Sequence, residues 1–265
     1  MMAENQPSAE AAKANTTRRR LIASNVKAIG GLAVAAAIAA LLKPNQARAV
    51  TGPAQCFLRG TKIRTTQGER NVEDLVIGDL LPTVFGGVRP VKWIARYRRT
   101  RADRSKPWAK QTRPIRIAKS ALAPNVPHAD LFVTPGHALL IDGVLVTAGN
   151  LVNGTTIAPH ASTEHDELEF FQIKLETHDA IYAEGAACET LLRVSETASN
   201  FADYYRRYGN ESSNELHCAP VFGNGYRSEL KMRARSMMSP WLGPQQVDLI
   251  RDRLEERALE IQAAR

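Results

Sequence analysis

Cys56 and, at a later corner, Thr134 and His137 are side chains whose types can do chemistry. A cysteine thiolate is a strong nucleophile, and it can be brought against the carbonyl carbon of the residue before it. Attack there expels the cysteine's own amide nitrogen and leaves a thioester. The thioester is less stable than the amide. The step therefore proceeds only if the bond is strained, the oxyanion is held and the leaving nitrogen is protonated. A histidine can supply that proton because it titrates near neutrality. A threonine hydroxyl can hydrogen-bond the scissile unit and hold it twisted. Thr134 and His137 stand three apart across Pro135-Gly136, a corner at which both side chains can face one pocket.

These residues need a scaffold, and the pattern around them is one of short strands. Thr61–Thr66 alternates and turns at Gln67-Gly68; Val72–Leu75 forms a half-turn leading to Gly78-Asp79. Gly86-Gly87 predicts a hairpin before a strand over Val88–Tyr97, and the basic, Pro-containing residues 98–114 predict a surface loop. Ile115–Ala118, Leu131–Val133, Phe170–Leu175 and Ala180–Ala183 read as further strands. Asp142-Gly143 is a hairpin signal between Ala138–Ile141 and Val144–Thr147. Strands at this spacing predict an all-β sandwich or barrel rather than alternating strands and helices. After Leu192 the pattern changes. Asn200–Tyr208 reads as a helix and residues 209–228 are rich in Gly, Asn and Ser. The chain then closes on a helix whose Val247, Ile250, Leu254, Ala258 and Ile261 form an apolar stripe.

Three ordered blocks resemble the Hint domain of hedgehog C-terminal domains and inteins, in its bacterial Hint_2 form. The first is Cys56-x-x-x-Gly60-Thr61 with Gly68, Val72, Leu75, Gly78 and Asp79. The second is Val133–Leu140, carrying Thr134-x-x-His137. The third runs from Phe171 through Ile173, Leu175, Glu176, Thr177, His178, Asp179, Ile181 and Ala183 to Glu184-Gly185. The resemblance implies a compact, horseshoe-like all-β fold of short strands over 56–192. It also implies self-processing at the Gln55–Cys56 bond, in a single turnover rather than as a multiple-turnover enzyme. Cys56 would be the nucleophile in an N–S acyl shift, His137 would assist breakage of the amide and Thr134 would orient it. His178 would lie near the site and polarise the thioester or the nucleophile, with Asp130 and Asp179 as orienting carboxylates. Where splicing inteins end in His-Asn, the comparable stretch here reads Ala187-Cys188-Glu189-Thr190, and the chain continues beyond it. Without an Asn to cyclise, full splicing is not expected. Water, a thiol or an alcohol would resolve the thioester. An alternative is a non-catalytic exported Hint-fold binding or structural module, favoured by the short segment ahead of Cys56. A Cys–His hydrolase acting on other substrates is a third reading, but no nucleophile-bearing helix pattern precedes Cys56.

Ahead of the domain stands a leader, residues 1–49, with the linker 50–55 after it. Arg18-Arg19-Arg20 precedes an uncharged apolar stretch over Ala28–Leu42, and the small-residue site Ala47-Arg48-Ala49 follows. Charged region, short apolar region and A-x-A site together predict an export signal. The Arg18-Arg19 pair resembles a twin-arginine signal, with general secretion as the other route. The stretch is short for a permanent span, which needs about 20 apolar residues. The expected location is periplasmic or extracellular. The export machinery would be a partner, and the membrane would be met only through the leader.

The formal net charge of +8 would suggest nucleic acid, but residues 1–49 carry seven Lys/Arg against two Asp/Glu. The remaining 28 basic and 25 acidic residues are nearly balanced, so nucleic-acid binding has no other support. Three cysteines are too few for a disulfide scaffold, although Cys188 and Cys218 could pair and leave Cys56 free. His128, His160, His165 and His217 show no metal-ligand spacing. Neither a metal nor a cofactor is expected. The last segment, 193–265, reads as a C-terminal helical extension.

Overall fold

The computed structural model describes residues 55–264, apart from 102, 104, 111, 210–215 and 223–243. The leader with its Arg18-Arg19 motif lies outside the described residues, as do 50–54 of the linker. The fold is all-β, with a helical extension toward the C-terminus.

The strands are, in chain order, β1 (Phe57–Leu58), β2 (Lys62–Thr65), β3 (Gly68–Asn71), β4 (Leu80–Pro82), β5 (Val88–Pro90), β6 (Trp93–Thr100), β7 (Ile115–Ile117) and β8 (Leu131–Val133). There follow β9 (Ala138–Ile141), β10 (Val144–Thr147), β11 (Ile157–Pro159), β12 (Glu167–Lys174), β13 (Ala180–Ala183), β14 (Ala186–Glu189) and β15 (Val221–Phe222). One sheet has the order β11-β7-β8-β1-β12-β6 and a second has β15-β10-β9-β14-β13-β2-β3, while β4 and β5 form a separate hairpin. The β9–β10 turn follows from its residues: Asp142 has φ 50 and Gly143 φ 77. Two successive left-handed residues make the turn whose twist matches paired strands. Ile63, Leu139, Leu145, Phe171, Ile173 and Ile181 project from these strands into the interior and are buried.

Among the described residues are two α-helices, α1 (Phe201–Tyr208) and α2 (Gln246–Ala263), and two single 3-10 turns at Val72–Asp74 and Ala148–Asn150. In α2 the Gln245 side chain accepts from the N3 backbone, and the Asp248 side chain accepts from the Gln245 N–H, closing a capping box. Val247, Ile250, Leu254 and Ala258 are buried, and the first three join the main core. The apolar stripe of this helix thus packs on its own domain.

Some expected boundaries move. The strand expected over 88–97 is broken at Val91-Lys92 into β5 and β6. Here Val91 N–H donates to Asp79 and Lys92 N–H to Lys174, so the two halves serve different partners. The loop expected from 98 begins only after Thr100, because β6 stays paired with β12 from Trp93↔Lys174 to Thr100↔Glu167. Arg98 lies 2.7 Å from Glu169 and 3.0 Å from Glu167 across that pair. Strands β1, β3, β4, β11, β14 and β15 are additions to the individually named set. Extension 193–265 is not purely helical, since β15 pairs in parallel with β10.

Candidate functional site

Strand register builds the centre of the site. The two-residue β1 lies between β8 and β12, with Phe57 opposite both Val133 and Phe171. One step outward along that antiparallel register, Cys56 faces Thr134. The Cys56 N–H donates to Thr134 Oγ1 at 2.8 Å, and the Thr134 N–H donates to the Cys56 carbonyl at 2.9 Å. Cys56 and Thr134 are both fully buried. Losing the Oγ1 acceptor would therefore strand a buried amide at a cost of about 1–3 kcal/mol.

The corner that follows β8 carries His137. Its N–H donates to the Thr134 carbonyl at 3.0 Å, and its own carbonyl accepts from Ala148 at 2.8 Å. Gly149 N–H donates to Pro135 at 2.9 Å, and a Cβ at Gly149 would meet the Pro135 carbonyl oxygen at 3.1 Å. A side chain there would crowd the corner. The His137 ring lies 4.3 Å from the Phe57 ring, centroid to centroid, and is 1% exposed. Neither ring nitrogen has a hydrogen-bond partner.

Electrostatics at the site follow from burial. Burial lowers the His137 pKa to about 4, while Glu189 and the backbone of Gln55 and Cys56 favour the protonated ring. His137 is thus neutral at pH 7 and lies against the two residues that share the Gln55–Cys56 bond. Burial likewise pushes the Cys56 thiol well above its ordinary value, opposed by the Gln55 backbone and by Arg99. Cys56 packs in an aromatic cluster with Trp93, Tyr97, Trp108 and Phe170. Burial, then the neighbouring Cys56, holds the Tyr97 phenol protonated. A neutral imidazole against the backbone of a fixed Gln55–Cys56 amide is an arrangement in which a proton can be passed to the departing nitrogen.

His178 sits 40 residues from its partner in sequence: its Nδ1 accepts from the Cys218 N–H at 3.0 Å. The ring proton therefore sits on Nε2, which points at Glu189 Oε2 3.7 Å away. The other Glu189 oxygen, Oε1, accepts from the Ala138 N–H at 2.8 Å. Glu189 is 2% exposed. His217 stacks edge-on against His178 at 5.1 Å. Ligand atoms of His178, Glu189 and His217 lie within 4.8 Å of one another, a grouping that sequence spacing does not show. A cation held there through His178 Nε2 would need the lone pair that the Cys218 bond leaves protonated.

The two orienting carboxylates have other partners. Asp130 Oδ2 lies 2.6 Å from Arg116 Nε and Oδ1 accepts from the Lys119 N–H at 2.8 Å, so it ties β7 to the loop after it. Asp179 Oδ1 accepts from Phe85 at 3.0 Å and Ala180 at 2.7 Å, and Oδ2 lies 3.2 Å from Arg89. Asp179 thereby fastens the β4–β5 turn to β13. Of the residues picked from sequence, the structure brings together Gln55, Cys56, Thr134 and His137, with His178 one carboxylate away through Glu189. Cys56, Cys188 and Cys218 are free thiols, so Cys188 and Cys218 do not pair. Glu189 is the residue that sequence reasoning passed over as a site. Its one signal is a lone acid within the apolar run Ala186-Ala187-Cys188.

The Hint domain family model, in its Hint_2 form, matches residues 55–195. Among curated proteins, none matches the chain. Three solved structures illustrate the similarity. The gp41-1 intein is 15% identical, with 50% of this chain and 97% of that chain covered and a TM-score of 0.34. A DnaB intein from Synechocystis sp. PCC 6803 is 10% identical, with 52% and 99% covered and a TM-score of 0.37. A bacterial intein-like domain from Clostridium thermocellum is 13% identical, with 52% and 100% covered and a TM-score of 0.37.

Proposed function

Because this chain belongs to the Hint domain family, we propose that it processes itself at the Gln55–Cys56 bond. The observation that carries this reading is the clamp on Cys56. Its amide N–H is held 2.8 Å from Thr134 Oγ1, and His137, buried and without a hydrogen-bond partner, lies against the same peptide unit. Cys56 Sγ attacks the Gln55 carbonyl carbon. As the C–S bond forms, the neutral His137 ring accepts the thiol proton. The ring then returns it to the departing Cys56 nitrogen as the C–N bond breaks. The products are a thioester on Gln55 and a free amine on Cys56. Water, a thiol or an alcohol then attacks the thioester carbonyl, and the Cys56 sulfur leaves and regains a proton. The test is the mass of the protein after incubation with hydroxylamine, which captures thioesters and should release a fragment beginning at Cys56.

Splicing is not part of the proposal. Glu189 and Thr190 stand where cyclisation would need an amide side chain, and Cys188 is buried with its thiol pushed up by burial. Cys188→Ala should leave N-terminal cleavage at the wild-type rate, with no ligated product and no cut near residue 188 by mass spectrometry. A folded Cys188→Ala protein that no longer cleaves would mean that the nucleophile is misassigned.

The proposal extends to the leader. No helix among the described residues is long and apolar enough to cross a membrane. If the signal is retained, residues 28–42 tether the protein, and the twelve residues 44–55 can span about 40 Å when extended. Cleavage at Cys56 would then free an exported domain. Expressed with its leader and fractionated, wild type should be soluble and begin at Cys56, whereas Cys56→Ala should remain with the membrane. Two soluble proteins both beginning at Val50 would assign release to a signal peptidase instead.

A further inference from the structure

The buried Glu189 is not needed to break a peptide bond by any step above, yet it is held from two directions. One oxygen is pinned by the Ala138 N–H, the residue immediately after His137, at 2.8 Å. The other, Oε2, and His178 Nε2 are both buried without a hydrogen-bond partner and face each other at 3.7 Å. His178 is in turn oriented by the Cys218 N–H, which comes from the C-terminal extension outside the family-matched residues 55–195. That extension is anchored by the Leu145 N–H donating to Pro220 at 2.8 Å and by the β15–β10 pairing. A backbone donor from the extension thus fixes the His178 tautomer, His178 presents its proton to Glu189, and Glu189 sits behind the catalytic corner.

We propose that Glu189 is a positioning residue for His137, and that the extension, through Cys218 and His178, is a working part of the processing site rather than an appendage. The proposal rests on the reading of His137 as the proton carrier. A buried carboxylate stabilises a proton on a nearby imidazole when its own charge is kept. The Ala138 N–H donates to Oε1 at 2.8 Å, and the His178 Nε2–H faces Oε2 from 3.7 Å, so both turn the positive ends of their dipoles toward the carboxylate. Glu189 acts in this direction on His137, against the lowering by burial. Besides His178, the titratable groups around Glu189 are His217, Cys188 and Cys218, with the buried Asp179 carboxylate at the start of the neighbouring strand held 3.2 Å from Arg89. Burial, and after it His178, lowers the His217 pKa, and burial raises both thiols. His217 and both thiols are therefore neutral at pH 7, Asp179 is turned to Arg89, and Glu189, tied to Ala138, is the carboxylate that acts on His137.

Two readouts separate this proposal from the self-cleavage reading. The first needs no reaction: in Cys56→Ala protein with labelled histidine, His137 is titrated by NMR with and without Glu189→Gln. Glu189→Gln should move the His137 titration to lower pH, and Glu189→Asp should restore much of the shift. The second is cleavage by otherwise wild-type protein. Glu189→Gln should slow cleavage about tenfold at pH 7, the consequence of roughly one unit of lost proton affinity. Its rate-against-pH curve should shift in the same direction, whereas a merely structural loss would lower the rate equally at every pH. An unmoved His137 titration overturns the proposal whether or not the protein cleaves. A moved titration in a chain that never cleaves leaves the electrostatic role standing and removes the self-cleavage reading. Removing the extension's contribution by His178→Gln should reproduce part of the shift, and no shift there would detach the extension from the site. Zinc is the last arm: zinc-dependent loss of the His178 and His217 resonances at micromolar metal would assign the cluster to a cation and overturn the relay.

Discussion

Cys56→Ala protein should stay at full length under hydroxylamine or a strong thiol, while wild type yields a fragment beginning at Cys56. The substitution removes the nucleophile while leaving the peptide unit clamped, because the Cys56 N–H to Thr134 and the Thr134 N–H to the Cys56 carbonyl are both made with or without the thiol. Position 56 is buried in an aromatic cluster, so deleting one sulfur leaves a small void and the fold should survive. His137→Ala should slow the reaction by about a hundredfold or more, the usual contribution of a positioned proton carrier. The loss should be larger than for Glu189→Gln, since Glu189 acts only through the ring. Intact mass over time measures all three. Full-length wild type after prolonged exposure to strong nucleophile would remove the catalytic reading and leave a binding or structural module of the same fold.

The second large effect is on stability, and it comes from the same ring. An exposed histidine titrates near 6.5, whereas burial brings His137 in the folded protein to about 4. As pH falls below 6.5 the unfolded chain takes up this proton first. Between pH 6.5 and 4 the unfolded state therefore holds more protons, and stability declines with falling pH. The contribution is complete above 6.5 and lost once pH has passed about 4. The loss amounts to about 3 kcal/mol from this one group. Urea unfolding of Cys56→Ala protein at pH 7.5, 5.5 and 4 measures it without interference from cleavage. The comparison is Cys56→Ala with His137→Gln, which should lack this part of the slope. Carboxylates held low by their partners, such as Glu169 between Arg98 and Arg59, add their own acid sensitivity to both proteins and cancel in the difference. Parallel stability curves for the two proteins would mean that His137 is not held neutral in the folded state.

Both expectations start from residues that the linear chain announces. Cys56 opens the first block, Thr134 and His137 flank a Pro-Gly corner, and Asp142-Gly143 marks its hairpin. The α2 stripe repeats at helical spacing. Each is local: a strand alternates with period two and a helix repeats near 3.6, so a few neighbouring residues record the element and its buried face. The same locality made the break at Val91-Lys92 invisible, because only the separate partners of β5 and β6 impose it. It also hid the reach of β6 to Thr100, which follows from pairing with β12 rather than from its own polar residues.

What the tertiary structure alone decided is who meets whom. Cys56 and Thr134 are 78 residues apart, Ala138 and Glu189 are 51 apart, and His178 and Cys218 are 40 apart. The family resemblance supplied the first of these meetings in outline. Nothing in spacing or composition supplies the other two, since an acid in an apolar run can as readily end a strand as be buried behind a catalytic corner. The β9–β14 pairing, with Cys188 opposite Leu139, brings Glu189 behind His137. The β15–β10 pairing brings Cys218 to His178. Periodicity encodes which face of an element is apolar, but the choice of partner strand depends on closing long loops around a shared core, and that information is spread over the whole chain.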